Sequence, residues 1–285
     1  MYYGGIEAGG TKFVCAVGNE QVNIIEKVSI PTTTPTETLN QVFHFFEKYA
    51  LKSIGIGSFG PIDLNEKSPT FGYLTTTPRK GWENFNLLGA FKERYTMPIS
   101  LTTDVNAAAY GEYIRGYKGS IDSCLYLTVG TGIGGGFIKH GDIVQGYGHP
   151  EMGHILIQKH PKDHYPVCCA FHPNCLEGMA SGSSMEERYN KKAYEFDRDS
   201  EVWELEAHYL AQAIVNYTLI VRPDKIILGG GVMKQEQLFP LIREEFKVLM
   251  GDFVETPFLE EYIVGPKLGD NAGIVGCLTL ASELV

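Results

Sequence analysis

No run of lysines and arginines interrupts the acidic balance of this 285-residue chain, in which 34 Asp and Glu stand against 24 Lys and Arg for a formal charge of -10. Without a local basic face the chain has nothing to pair with a phosphate backbone, so nucleic acid is not an expected partner. No apolar run reaches the roughly 20 residues that cross a bilayer. The opening Met1-Tyr2-Tyr3-Gly4-Gly5 also lacks the basic and apolar regions of a signal peptide. No membrane partner is expected, and the expected location is the cytoplasm. Low-complexity linkers are absent too, which predicts two compact, directly joined lobes. Cysteine is sparse for a disulfide scaffold of this size. Cys15, Cys124 and Cys277 lie singly in apolar segments and read as buried thiols, whereas Cys168, Cys169 and Cys175 cluster beside histidines.

A further absence decides how the most distinctive stretch is read. The β-branched run Leu125 to Val129 breaks into Gly130-Thr131-Gly132-Ile133-Gly134-Gly135-Gly136, five glycines in seven residues. Backbone this bare lets amide N–H groups approach a phosphate. Gly130, Gly132 and Gly135 satisfy the dinucleotide fingerprint G-x-G-x-x-G, but that motif needs a helix directly after the loop. None follows. Phe137 to Val144 has β-formers around a turn signal, so the loop joins two strands.

Two other glycine turns have the same character. Gly9-Gly10-Thr11-Lys12 separates the first two of three β-rich runs, which predicts an antiparallel meander whose first turn carries a hydroxyl and an ammonium. Gly229-Gly230-Gly231 ends the buried strand Lys225 to Leu228, where bare backbone suits the flat face of a base. The strand from Ser53 ends in the rigid turn Gly60-Pro61, a strand end of the kind where ligands gather in α/β folds. Thr34, Pro35 and Glu37 form a capping box ahead of a helix to about Tyr49. Residues 75–81 read as a surface loop, and Trp82 beside it reads either as a core residue or as a sugar-stacking one. Asp104 follows the strand Pro98 to Thr103 and opens an alanine-rich helix, so its carboxylate suits an N-cap, a catalytic base, or both.

The segment after the central loop is dense in metal-binding chemistry. Cys169-x-x-His172-x-x-Cys175 places three ligands in a short loop, and His154 is the chosen fourth for a tetrahedral zinc site, with Cys168 competing for the place of Cys169. Four protein ligands leave no open position, so the metal would be structural. Helices are expected over about 200–221 and 235–250 and toward the C-terminus.

A glycine–threonine turn between β-runs occurs twice, about a hundred residues apart, with further α/β elements after each. That pattern fits a duplicated architecture of two similar lobes around a nucleotide, with Asp104 placed to accept the proton of an attacking hydroxyl.

Glu7 to Lys12, Thr103 to Ala108, Gly130 to Gly136, Glu151-Met152-Gly153-His154 and the Cys/His loop through Gly178 together resemble the ROK family of sugar kinases, collinearly over nearly the whole chain. The His149-Pro150-Glu151 prefix and the Cys-x-x-His-x-x-Cys form most resemble its bacterial fructokinases. The resemblance implies a two-lobed α/β fold of the actin-like, hexokinase-like, duplicated ribonuclease H-like type. Its lobes would comprise residues 1–113 with 271–285, and 114–270 with the zinc loop. It implies phosphoryl transfer from Mg-ATP to the 6-hydroxyl of a hexose, fructose first and glucose, mannose or N-acetylmannosamine as alternatives, with a homodimer as the family expectation. A sugar-sensing repressor is the rival of another class. Carried onto matching positions, Asp104 is the general base and a sugar contact. Gly60, Pro61, Glu151, His154 and Glu177 are further sugar contacts. Gly9, Gly10, Thr11, Lys12, Gly130, Thr131, Gly132, Gly134, Gly182, Gly229, Gly230 and Gly231 hold ATP. His154, Cys169, His172 and Cys175 hold zinc. Glu7 stands where the family usually has aspartate and is assigned toward magnesium; Thr103 stands where it usually has asparagine.

Overall fold

β-Branched and aromatic residues open the chain, and in the computed structural model they form a meander of β1 (Tyr2–Ala8), β2 (Lys12–Gly18) and β3 (Ile24–Pro31), with Ala8 opposite Phe13 and Phe13 opposite Ile30. The structure describes residues 1–77 and 79–285; residue 78 of the expected 75–81 loop lies outside the described residues. Helix α1 (Pro35–Phe46) starts with the expected capping box, Thr34 Oγ1 accepting from Glu37 N at 3.4 Å. It stops three residues before Tyr49, because Glu47 serves as the C-cap and the Tyr49 amide turns back to the Phe46 carbonyl at 3.0 Å. β4 (Leu51–Ser58) pairs parallel to β1; after α2 (Leu87–Arg94), β5 (Ile99–Thr103) pairs parallel to β4 and runs straight into α3 (Asp104–Gly111). The sheet order is β3-β2-β1-β4-β5. Trp82 settles as a core residue: it is fully buried, its ring lies tilted against Phe13 with centroids 5.3 Å apart, and its Nε1 donates to the Thr33 carbonyl at 2.8 Å.

The second half repeats this plan. β6 (Ser123–Val129) and β7 (Ile133–Lys139) form an antiparallel hairpin, followed by the short β8 (Asp142–Ile143). Then come α4 (Leu176–Ala180), α5 (Gly182–Tyr189), α6 (Val202–Val221), β9 (Lys225–Gly229), α7 (Leu238–Met250), α8 (Leu259–Tyr262) and β10 (Ile263–Val264). β9 lies parallel to β6 and β10 parallel to β9, giving β8-β7-β6-β9-β10, the order of the first sheet with shortened third and fifth strands. Arg222 in the left-handed region (φ 45°) ends α6 just before Pro223. Trp203, Tyr209 and Leu210 of α6 fill the core over Leu127 and Leu228.

The final helix, α9 (Ala272–Ser282), belongs to the first unit, which comprises Met1–Gly119, Ile143–Pro150 and Asp270–Val285; the second comprises Ser120–Asp142 and Glu151–Gly269. α9 lies directly on β1, β4 and α3 through glycines. A Cβ on Gly55 would sit 1.9 Å from the Cys277 carbonyl oxygen, and one on Gly276 would sit 1.7 Å from that of Ala107. Cys15, Cys124 and Cys277 are buried thiols outside any disulfide, as their apolar surroundings indicate.

Candidate functional site

In the first unit the turn between β1 and β2 closes through Gly9 N donating to Lys12 O at 3.0 Å, while Thr32 Oγ1 donates to the Gly9 carbonyl at 2.7 Å. A Cβ on Gly9 would lie 2.7 Å from the Lys12 oxygen, so the turn requires glycine there, and Thr11 and Lys12 are left exposed at its tip. Glu7, one strand residue earlier, has its carboxyl raised above the ordinary value by burial, against the pull of Lys12 and Lys27. A desolvated carboxylate of this kind is a natural partner for a cation. The Gly60-Pro61 turn follows β4, and Thr75 N donates to the Pro61 carbonyl at 2.9 Å.

Asp104 is not the N-cap of α3. Thr103 takes that place, its Oγ1 accepting from Asn106 N at 3.2 Å, and Asp104 occupies the first helical position with Oδ1 accepting from Val105 N at 2.9 Å. Both residue types cap well, and the extended backbone at the end of β5 falls on Thr103, which releases the Asp104 carboxylate from obligatory capping.

In the second unit the β6–β7 turn has the same construction: Gly130 N donates to Gly132 O at 2.9 Å. Gly182, at the start of α5, donates its N–H to the Gly130 carbonyl at 2.7 Å, and a Cβ there would lie 2.8 Å from that oxygen. Glu177 braces the other side of the turn. Its Oε2 accepts from Ile133 N at 2.8 Å and would lie 2.5 Å from a Cβ on Gly132. Thr131 at the tip is exposed, and Gly134 is the second residue of β7. At the end of β9, Gly229 presses on the Tyr126 hydroxyl and Gly230 (φ +93°) on the end of β6, whereas Gly231 faces open space.

Glu177 belongs to α4, and Cys175 is the N-cap of that helix, its thiol accepting from Gly178 N at 3.4 Å. The loop before it is pinched at its base by Ile157 N donating to Asn174 O (3.0 Å) and Leu176 N to Ile155 O (2.9 Å), which brings His154 beside Cys175. The turn carrying His154 lies on β7 so closely that a Cβ on Gly153 would be 1.8 Å from the Ile133 oxygen, which accounts for the glycine in Glu151-Met152-Gly153-His154. His154, Cys169, His172 and Cys175 converge, one ligand atom from each lying within 4.8 Å of the others. His154 Nδ1 faces Cys169 Sγ (3.9 Å) and Cys175 Sγ (3.6 Å), while Nε2 faces Glu177 Oε1 at 3.7 Å. Phe171 N donates to Cys169 Sγ at 3.4 Å. Two sulfurs that accept backbone N–H bonds, two imidazoles, and a carboxylate behind one of them fit a tetrahedral zinc ion. Cys168 points elsewhere, donating to Glu187 Oε1 at 3.2 Å. Glu151 is exposed as a residue, yet protein packed around its carboxyl raises the pKa by desolvation; His154 pulls it down and Glu177 pushes it up.

Sequence reasoning did not find the clasp that holds this loop in its middle. Arg188 of α5 donates from Nη2 to Asp163 Oδ2 (3.2 Å) and to the Met179 carbonyl (2.9 Å), Tyr209 donates to the same Asp163 oxygen (2.6 Å), and the guanidinium lies 4.6 Å over the Tyr165 ring. Asp163 lies 25 residues from Arg188 and 46 from Tyr209, and no local pattern marks these pairs.

Two units repeating one mixed five-stranded sheet, each with a glycine turn between its first two strands, define the two-lobed α/β sugar-kinase fold. The ROK family model matches residues 3–284, and the chain belongs to the ROK family. It is 47% identical over 281 residues to the fructokinase of Pediococcus pentosaceus, covering 99% of this chain and 98% of that protein. Among solved structures it is similar to the ROK hexokinase of Thermus thermophilus (TM-score 0.83, 25% identity, 99% of this chain and 98% of that one). A ROK glucokinase from Streptomyces griseus, solved with glucose and AMPPNP, shares the fold (TM-score 0.78, 23% identity, 99% and 100%). Among the described residues no helix is long and apolar enough to cross a membrane.

Proposed function

We propose that the protein is an ATP-dependent fructokinase, transferring the γ-phosphoryl group of Mg-ATP to the 6-hydroxyl of fructose to give fructose 6-phosphate and ADP. The observation that carries this reading is the full-length 47% identity to a protein named fructokinase. Asp104 accepts the proton of the attacking hydroxyl as the new O–P bond forms and the bond from phosphorus to the ADP oxygen breaks. The amides of the Gly9–Lys12 and Gly130–Gly134 turns, with Thr11, Lys12, Thr131 and Gly182, hold phosphates, and the backbone at 229–231 faces the base. Glu7 is assigned to magnesium, which would offset charge on the transferring group. Gly60, Pro61, Glu151, His154 and Glu177 orient the sugar. Zinc on His154, Cys169, His172 and Cys175 would fix the loop that presents those groups, a role of preorganisation. Cytoplasmic location and a homodimer complete the reading.

The test is a coupled assay for ADP with fructose, glucose, mannose and N-acetylmannosamine. Fructose should give the highest kcat/KM, and Asp104→Ala should lower kcat by about 100-fold or more, the scale of a lost general base, while fructose still binds. Absence of ADP with every sugar overturns the reading; turnover surviving in Asp104→Ala makes that residue a structural one.

A further inference from the structure

His149 and Asn106 form a pair that the assignments above leave unused. Asn106 is fully buried on the first turn of α3, two residues after Asp104. Its Nδ2 donates to Thr102 Oγ1 at 3.1 Å and meets His149 Nδ1 at 3.3 Å, while its buried Oδ1 has no partner among the described residues. Reversing the amide would exchange that one orphaned acceptor for two orphaned donors, so the observed orientation is the better satisfied. A ring nitrogen facing an amide N–H must accept, which leaves His149 Nδ1 bare and its proton on Nε2. Burial lowers the ring pKa to about 4, so the imidazole is neutral near neutral pH.

Nε2 has no partner among the described residues, and His149 is only half-buried, so this N–H remains available. The nearby hydroxyl of Thr103 is already engaged in capping α3. An unmade buried acceptor is costly, and the fold tolerates it at Asn106, two residues after the proposed catalytic base. A neutral imidazole with a single fixed N–H is matched to an uncharged oxygen, whereas a phosphate would be better served by a cation. His149 also stands two residues before Glu151, which is already assigned to the sugar.

We propose that His149 is a hexose-binding residue, its Nε2–H donating to a hydroxyl or ring oxygen of the sugar, and that Asn106 is a positioning residue that fixes the His149 tautomer. The sugar as ligand rests on the kinase reading; the tautomer and the free donor rest on geometry alone.

The experiment measures fructose, glucose and mannose binding by calorimetry, and KM for fructose and for ATP, in wild type, His149→Ala and His149→Gln, with zinc content checked in each. His149→Ala should weaken fructose binding and raise its KM about tenfold, the scale of one directed hydrogen bond, with KM for ATP and zinc content unchanged. His149→Gln, which can supply an N–H, should recover part of the loss. Unchanged fructose affinity in His149→Ala overturns the proposal, as does equal weakening of sugar and ATP in both variants. If the wild type binds fructose without forming ADP, the kinase reading fails and the affinity ratio still decides the role of His149. If it binds none of the three hexoses, both fall.

Discussion

Replacing Glu177 by alanine removes one side chain that touches two parts of the second unit at once. Oε2 accepts from Ile133 N at 2.8 Å and so braces the Gly130–Gly132 turn, while Oε1 faces His154 Nε2 at 3.7 Å. A hydrogen bond to an ionised acceptor contributes about 1.5–3 kcal/mol, but the Glu177 side chain is 32% exposed and water recovers part of that. About 1–2 kcal/mol should remain, equivalent to a KM for ATP raised roughly 5- to 30-fold. Glu177→Gln separates the two roles. Its amide oxygen still accepts from Ile133 N, so KM for ATP should stay near wild type, while the lost charge opposite His154 raises KM for fructose. Coupled ADP assays with each substrate varied at saturating levels of the other give both constants, and AMPPNP titration without sugar reads the nucleotide side directly. If Glu177→Ala alters only the fructose constant, or if Glu177→Gln harms ATP binding as much, Glu177 does not act through the turn.

Two further outcomes follow from the same unit. Cys169→Ser should release zinc to a chelator more readily, lower the melting temperature and weaken fructose binding together; zinc retained at wild-type strength by elemental analysis would refute the ligand set. Glu206 of α6 is buried, with no partner for Oε1 among the described residues, and burial raises its carboxyl well above the ordinary 4.5. The unfolded chain therefore releases this proton above pH 4.5 while the folded chain holds it, and stability falls as pH rises from there. Glu206→Gln should be the more stable form near pH 7, by about 2–4 °C for each kcal/mol, with the advantage fading toward pH 4.5 in thermal melts. An advantage that grew with acid would reverse the assignment.

Local chemistry made much of this legible before any coordinates. The capping box at Thr34 and Glu37 marks the start of α1, and the β-formers around the two glycine turns mark both hairpins, because each signal lies within a few residues. Cys169, His172 and Cys175 are legible as ligands because they crowd one short loop, while His154 joins them through the backbone pinch at the loop's base. Other features depend on tertiary packing. Thr103 and Asp104 are both good caps, and only the exit angle of β5 decides between them. The contact of His149 with Asn106 joins residues 43 positions apart, and the Arg188 clasp joins three elements; no spacing rule reaches either. Cys168 and Cys169 are neighbours in sequence, and their partners Glu187 and His172 separate them.

The glycine seam between α9 and the first sheet also sets an order of assembly. Gly5, Gly55 and Gly276 leave room for no other element at those places, since added carbons there would meet Leu278, the Cys277 oxygen and the Ala107 oxygen at 2.8, 1.9 and 1.7 Å. Residues 272–282 are synthesised after all of the second unit, so on the ribosome β1 and β4 stand with one face bare while the second unit already has every strand it needs. The half of the molecule whose strands are made first is thus completed last, by residues 272–282.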